Sequence, residues 1–397
     1  MGILAKICRN RRHVYACLAV IAVLIILFNK MDFARQHQTS LAIEFGLDPF
    51  VFFQPDPTKP TKVIVLAYMH TGSSYTATVL EQHPGSFWES ERLHYLHESS
   101  MGKNARHGRT IQFLNGTRRD LFTDDYVELA AYTVHNLVNC HHWNLDIGTL
   151  DFYSNPITMK HFEKSHDYFL CIANGKVSEE FVQDRILPVE RINSAQIEKC
   201  YPRLVEQCRK SSLGVYKFIH LEMRSVELLL KRYESSNLKI IHLVRDPRAM
   251  LDSHVRKNEM GIADNLTNFE DRAKLICGQM MEDSIIGDEL KQQYPGKILS
   301  LRYEDMLDQP ITKVKEMYDF IRIPLSESVK KFVKESTHST EFPSWRRHIA
   351  LEHLLLTERH CQTLLARLGY VRLKDIETVR NTRVADHTSY TTYKECE

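Results

Sequence analysis

Several marks of function are missing from this chain. It has no Asp-x-Asp triplet of the kind a metal-dependent glycosyltransferase uses to hold a nucleotide sugar, and no Gly-x-x-x-x-Gly-Lys-Ser/Thr loop. Neither Cys-x-x-Cys nor His-Glu-x-x-His spacing occurs, so His135, Cys140, His141 and His142 read as a disulfide cysteine among surface histidines, and no metal is expected. Charge of one sign is also lacking. The 52 Lys and Arg against 50 Asp and Glu leave a net charge of +2, without the basic excess of a general nucleic-acid binder. With 15 glycines and 13 prolines in 397 residues, the chain is neither collagenous nor linker-dominated, and its 43% hydrophobic content can bury a large core.

Long apolar runs are almost absent as well. The single one, Val14 to Phe28, follows Lys6, Arg9, Arg11 and Arg12. It reads as a short signal-anchor over 14–29, with a cytosolic tail over 1–13 and the bulk of the chain in the secretory lumen. The alternative, a cleaved signal peptide, lacks a small-x-small cleavage site. Of nine cysteines, Cys8 and Cys17 precede or enter this run, leaving seven: Cys140, Cys171, Cys200, Cys208, Cys277, Cys361 and Cys396. Up to three intrachain disulfides fit an oxidising compartment, and Cys396 in the tail is left free or pairs with a second chain, as in a homodimer. The sequons at Asn115 and Asn265 suit the same compartment.

Residues 30–60 are polar and contain Pro55, Pro57 and Pro60, the composition of a stem. A lumenal domain follows over 61–373, and a polar, loosely ordered tail over 374–397. Apolar β-rich runs at 62–68, 214–219, 238–244 and 298–303 predict strands covered on both faces. Helical patterns at about 74–82, 222–234, 267–293, 311–322 and 351–367 alternate with them, which predicts an α/β domain with a central parallel sheet. Residues 95–210 lack clean periodicity and read as an elaborated insertion. Within it the basic stretch Lys103, Arg106, Arg109, Arg118 and Arg119 is either a solvated loop or a contact for an anionic glycan.

Two segments carry chemistry. After the first strand, Tyr68-Met-His-Thr-Gly-Ser-Ser-Tyr75 turns into a helix, and backbone N–H groups around Gly72 with the hydroxyls of Ser73 and Ser74 either form an anion cradle or simply cap a helix start. After a later strand, Arg245-Asp-Pro-Arg248 opens a second helix that carries Ser253. Arg245 and Ser253 can converge on a phosphate monoester, or Arg245 can pair with Asp246 or Asp252.

Together these segments resemble the Golgi carbohydrate 6-O-sulfotransferases, which place an Arg-Ser-Gly-Ser-Ser-Phe loop at the 5′-phosphosulfate and an Arg-Asp-Pro-Arg-Ala…Ser segment at the 3′-phosphate of 3′-phosphoadenosine 5′-phosphosulfate. The resemblance continues through Gln82-His-Pro84 with Glu91, through Ser300-Leu-Arg-Tyr-Glu-Asp305, and through Trp345-Arg346…Cys361…Leu368-Gly-Tyr370. It implies the P-loop-like sulfotransferase fold behind a single transmembrane anchor, a type II protein of the Golgi membrane, and a glycan or glycosaminoglycan acceptor. It implies a cofactor site of His70, Thr71, Gly72, Ser73, Ser74, Tyr75, Arg245, Ser253 and Arg346, with Trp345 either in the core or against adenine. It implies Glu91 as the general base, against a surface ion pair with Arg92, and Lys217 and His70 as catalytic cations. His70 departs from the family, which has a basic residue there. The competing reading is a catalytically silent relative that keeps the fold and binds nucleotide or glycan.

Overall fold

The computed structural model describes residues 59–101, 109–150, 166–172, 194–233, 237–259, 265–336, 343–381 and 383–388. The expected cytosolic tail, the anchor over 14–29, nearly all of the stem and Cys396 lie outside them. Among the described residues no helix is long and apolar enough to cross a membrane.

Five parallel strands form the central sheet in the order β2-β5-β1-β6-β7: β1 Thr61–Leu66, β2 Ser86–Ser90, β5 Leu213–Phe218, β6 Leu238–Val244 and β7 Ile298–Arg302. Every residue of β2, β5 and β6 is buried, as strands covered by helices on both faces must be. The other two, β3 Arg109–Gln112 and β4 Arg118–Leu121, make a separate antiparallel hairpin within the basic stretch. Four of the five sheet strands were legible as apolar runs. Strand β2, Ser86-Phe-Trp-Glu-Ser90, was not, because serines at both ends and a buried glutamate at its fourth position break the apolar signal.

The helices used below are α1 Ser73–Glu81, α2 His94–Met101, α3 Tyr126–Val138, α4 Ser194–Lys210, α5 Met223–Arg232, α6 Pro247–Arg256 and α7 Leu266–Gln293. They are followed by α8 Tyr303–Asp308, α9 Pro310–Ile321, α10 Leu351–His360, α11 Gln362–Arg367 and α12 Ile376–Arg380. The single helical pattern at 351–367 is thus two helices, parted at Cys361, which is bonded to Cys277 of α7. Helix α3 lies in the supposedly aperiodic insertion. It buries nine of its thirteen residues and leaves a narrow stripe of Glu128, Tyr132 and His135, so polar contrast marks its period only weakly. Disulfides Cys140–Cys208 and Cys171–Cys200 staple this insertion, giving the three bridges that the cysteine count allowed.

A polar network inside the core locks β1 to the long helix. The hydroxyl of Tyr68 donates to Asp283 of α7 at 2.9 Å and lies 2.9 Å from Nε2 of His242 on β6. The Met223 amide at the start of α5 donates to the same carboxylate at 2.7 Å. Burial pushes Asp283 up to about 7, and these two donors hold it from rising further.

The segment after Leu373 corrects the expectation of a loosely ordered tail. Residues 374–381 and 383–388 are folded as far as Thr388, with α12 capped by the Asp375 side chain and a β-bridge from Tyr370 to His387. Three buried arginines hold it. Arg346 donates to the carbonyls of Thr378, Val379, Asn381 and Val384; Arg302 to those of Leu368 and Thr388; Arg248 to those of Val371 and Asp386. A polar sequence can be ordered when buried cations satisfy its carbonyls. Arg346→Ala should therefore strand several buried acceptors and lower stability by at least about 3 kcal/mol, read as a shifted midpoint in urea unfolding. Full wild-type stability would show that the carbonyls are satisfied without it.

Candidate active site

All the candidate loops leave the carboxyl end of one sheet. The connection after β1 runs towards β2 on one side, and that after β6 runs towards β7 on the other. Between these adjacent strands the chain directions diverge, leaving a crevice at the topological switch point, where open α/β sheets bind ligands.

The first wall is the loop from Tyr68 to Ser73. The Thr71 hydroxyl donates to the Tyr68 carbonyl at 2.7 Å and the Thr71 amide follows at 3.2 Å, closing a tight turn. Thr71 is fully buried, so it shapes the cradle from behind and does not present its hydroxyl to a ligand. Gly72 has φ of 80°, and a Cβ there would stand 2.2 Å from the Tyr303 ring, so two separate constraints require glycine. It is also the N-cap of α1, and no side chain caps that helix. The first-turn amides of α1, with the buried Ser73 and exposed Ser74, are thus turned to the crevice as anion donors.

Arg245 forms the second wall. Its Nη1 donates to the His70 carbonyl at 2.6 Å, and its guanidinium lies over the Tyr303 ring at 5.1 Å. It pairs with neither Asp246 nor Asp252, which go to Arg248 and Arg256. Its Nε is buried without a hydrogen-bond partner. Ser253, two turns along α6, donates to the Ala249 carbonyl at 3.0 Å. Next to Arg245 opens a cavity of about 390 Å³ with Tyr75, Tyr303 and Trp345 among its walls. Trp345 is both core and wall: it is 2% exposed, packs under Arg248, and still reaches this cavity. Arg346 is not at the cradle. Its guanidinium is spent on the carbonyls described above, which corrects its assignment to the cofactor site.

His70, with φ of 64°, sits at the mouth of the crevice. Its Nε2 lies 2.9 Å from Glu259, and the Lys257 ammonium is 3.4 Å from its Nδ1. Burial lowers its pKa, Glu259 opposes that, and Lys257 and Arg245 add to the lowering, so the ring is neutral at neutral pH. The fixed positive charge beside it belongs to Lys257. No sequence signal marked that residue, because helix α6 must fold before Lys257 and His70 meet.

Glu91 stands across the crevice, at the end of β2, with φ of 55°. Such a conformation in a non-glycine residue is strained and concentrates at functional positions. Its Oε1 lies 2.6 Å from Nζ of Lys217 on β5, and its Oε2 accepts from the Ile219 amide at 3.1 Å. The expected alternative, an ion pair with Arg92, is not formed: Arg92 bonds Glu89 at 3.1 Å and the Thr149 carbonyl at 3.1 Å. The matching lysine on a buried strand thus has its anionic partner, and that partner is the candidate base. Beside them His97 stacks on His220 at 4.0 Å, and His94 lies 3.4 Å from His220. Burial, with Arg272 and Lys217 adding to it, holds His220 down to about 2, so that ring offers a neutral donor and acceptor. Arg272 of α7 lines the same space against Met69, with its buried Nε unpartnered.

Glu91 and Lys217 form a buried ion pair, 1% and 3% exposed at the side chain. Lys217→Met should therefore destabilise the fold by about 3–5 kcal/mol, and adding Glu91→Gln should restore part of the loss. A double-mutant cycle by urea unfolding measures the coupling, and strictly additive losses would show that the pair is not energetically linked.

The sulfotransferase domain family profile matches residues 60–360. Carbohydrate sulfotransferase 1 of Danio rerio is 23% identical over 378 residues, covering 85% of this chain and 84% of the relative. Carbohydrate sulfotransferase 2 of Homo sapiens is 23% identical over 376 residues, covering 80% and 67%. Among solved structures, a mouse sulfotransferase complexed with PAP aligns with a TM-score of 0.38 and 11% identity, covering 79% of this chain and 85% of that one. The family profile spans most of the chain, including the cradle after β1, the base candidate after β2 and the arginine after β6, and on that match the chain belongs to the sulfotransferase domain family.

Proposed function

We propose that this protein transfers the sulfuryl group of 3′-phosphoadenosine 5′-phosphosulfate to a sugar hydroxyl, at the 6-position, of a glycan or glycosaminoglycan. The observation that carries the reading is Arg245: one arm is tied to the His70 carbonyl of the cradle, while its buried Nε remains without a partner. A buried guanidinium nitrogen left in that state calls for an anion. The uncapped start of α1 lies at the other end of the same loop, so two anion sites face one crevice, as a nucleotide with a 5′-phosphosulfate and a 3′-phosphate requires.

The chemistry follows from the opposite wall. The sugar oxygen attacks sulfur in line with the bridging oxygen; the new S–O bond forms as the old one breaks, and 3′,5′-adenosine bisphosphate leaves. Glu91 accepts the hydroxyl proton. Its ion pair with Lys217 must open for this step, and the released ammonium is then available to a sulfuryl oxygen. At the leaving side, Lys257 supplies the charge that the related enzymes carry at the loop position itself, and His70 positions it by accepting from its ammonium at Nδ1. The aromatic cavity beside Arg245 suits the purine.

The same reading places the enzyme in the Golgi membrane as a type II protein. It is supported by the basic residues preceding the apolar run Val14 to Phe28 and by the three disulfides of the folded domain.

Transfer of labelled sulfate to a panel of desulfated glycans tests the activity, and nucleotide binding without any transfer would favour a silent relative. Arg245→Ala should weaken binding of the 3′-phosphorylated nucleotide by about 10- to 150-fold, measured calorimetrically. A mutant that still prefers the nucleotide with the 3′-phosphate as strongly as wild type would overturn that assignment. Glu91→Gln should cut turnover by about 10² to 10⁴ with nucleotide affinity nearly kept. Retained turnover would return Glu91 to a purely structural partner of Lys217.

A further inference from the structure

His70, His254 and Glu259 present three ligand atoms that all lie within 4.8 Å of one another. The geometry is specific. Oε2 of Glu259 stands 2.9 Å from Nε2 of His70 and 2.6 Å from Nδ1 of His254, so one carboxylate oxygen is shared by two imidazoles from different elements. The rings meet edge to face with centroids 4.6 Å apart. His254 is 1% exposed at its side chain, its Nδ1 is engaged by the Glu259 carboxylate alone, and its Nε2 is buried without a hydrogen-bond partner. A buried imidazole nitrogen 2.6 Å from a carboxylate oxygen shares a proton with it, and a metal ion held by the same two groups and by His70 can take that proton's place.

We propose that His70, His254 and Glu259 bind a divalent transition-metal ion of the zinc class. Two imidazoles and one carboxylate are a ligand set that zinc accepts, with a fourth position left for water or an anion. Zinc bonds are about 2.0–2.2 Å, so ligand atoms around a tetrahedral ion stand roughly 3.3 Å apart, and the Glu259 oxygen must draw back from both imidazole nitrogens by about half an ångström. Glu259 can yield that distance, since its side chain is 25% exposed and lies three residues beyond the end of α6. The same exposure gives the ion its way in.

Three cations surround the site and set its strength. Arg245 is bonded to the His70 carbonyl, Lys257 stands 3.4 Å from Nδ1 of His70, and Arg272 lies close enough to act on both His254 and Glu259. Their repulsion makes the site weaker than a structural zinc centre and suits an exchangeable ion. Lys257 is exposed and free to swing out when Nε2 of His70 takes the metal and its proton moves to Nδ1. A bound ion would tie the cradle loop after β1 to the end of α6, and so join the two anion-binding segments.

The test is direct and independent of sulfuryl transfer. The full-length chain, stripped with a chelator, is titrated with cobalt(II) as a spectroscopic probe and with zinc as competitor. One equivalent should give visible d–d bands of a four- or five-coordinate nitrogen and oxygen site, and zinc should abolish them and raise the melting temperature. His254→Phe keeps an aromatic ring at this place but removes a ligand, and Glu259→Gln changes a partly exposed carboxylate at little risk to the fold. Each should weaken cobalt binding at least tenfold. Absence of the bands in folded wild type, or bands of equal affinity in both variants, would overturn the site.

Discussion

Parallel pairing of β1 with β6 is the constraint on which the rest of the molecule depends. Residues Lys62 to Leu66 lie against Leu238 to His242 in register, so the loops that follow them emerge side by side while their helices diverge. Slipping this register by one residue would turn every side chain of either strand to the other face. It would also separate the Arg245 guanidinium from the His70 carbonyl, the bond that joins the two anion-binding segments. Tyr68, His242 and Asp283 guard the register from inside the core, since a displaced strand would leave these buried groups unpaired.

Arginine is divided between two tasks according to what else each guanidinium touches. Arg248, Arg302 and Arg346 are fully or almost fully buried, and their donors go to carboxylates and carbonyls that fasten the chain between Leu368 and Thr388. Arg245 and Arg272 retain an unpartnered Nε each and face the crevice. The second arginine of Arg245-Asp-Pro-Arg248 therefore serves the fold, and the first keeps a donor unspent at the crevice. Asp246 enforces the separation, because it holds Arg248 while capping α6 and so leaves Arg245 free.

Strain marks the two positions closest to the chemistry. His70 and Glu91 both adopt left-handed backbone conformations without being glycine, one after β1 and one after β2. The surrounding hydrogen bonds hold them there: the His70 carbonyl is bound by Arg245, and the Glu91 amide donates to the Lys217 carbonyl at 2.9 Å. Glu91 is thereby aimed across the crevice from the end of a buried strand, with its charge balanced by Lys217.

The amino-acid sequence by itself was enough to determine the α/β class, four of the five sheet strands, the main helices between them, the Gly72 turn and an upper limit of three disulfides. Those features rest on local contrast between apolar and polar residues, or on a count. Strand β2 escaped because burial on both faces removes that contrast and helix α3 because its exposed stripe is narrow, and Oε1 of Glu89 is met by Arg92 from the turn after the strand and by His142 from the insertion. The surroundings of Arg346, Lys257, His254 and Glu259 were decided by the tertiary structure alone. An arginine carries the same charge whether it meets a phosphate or four carbonyls, and which of these it meets depends on the register of strands and helices far from it in the chain.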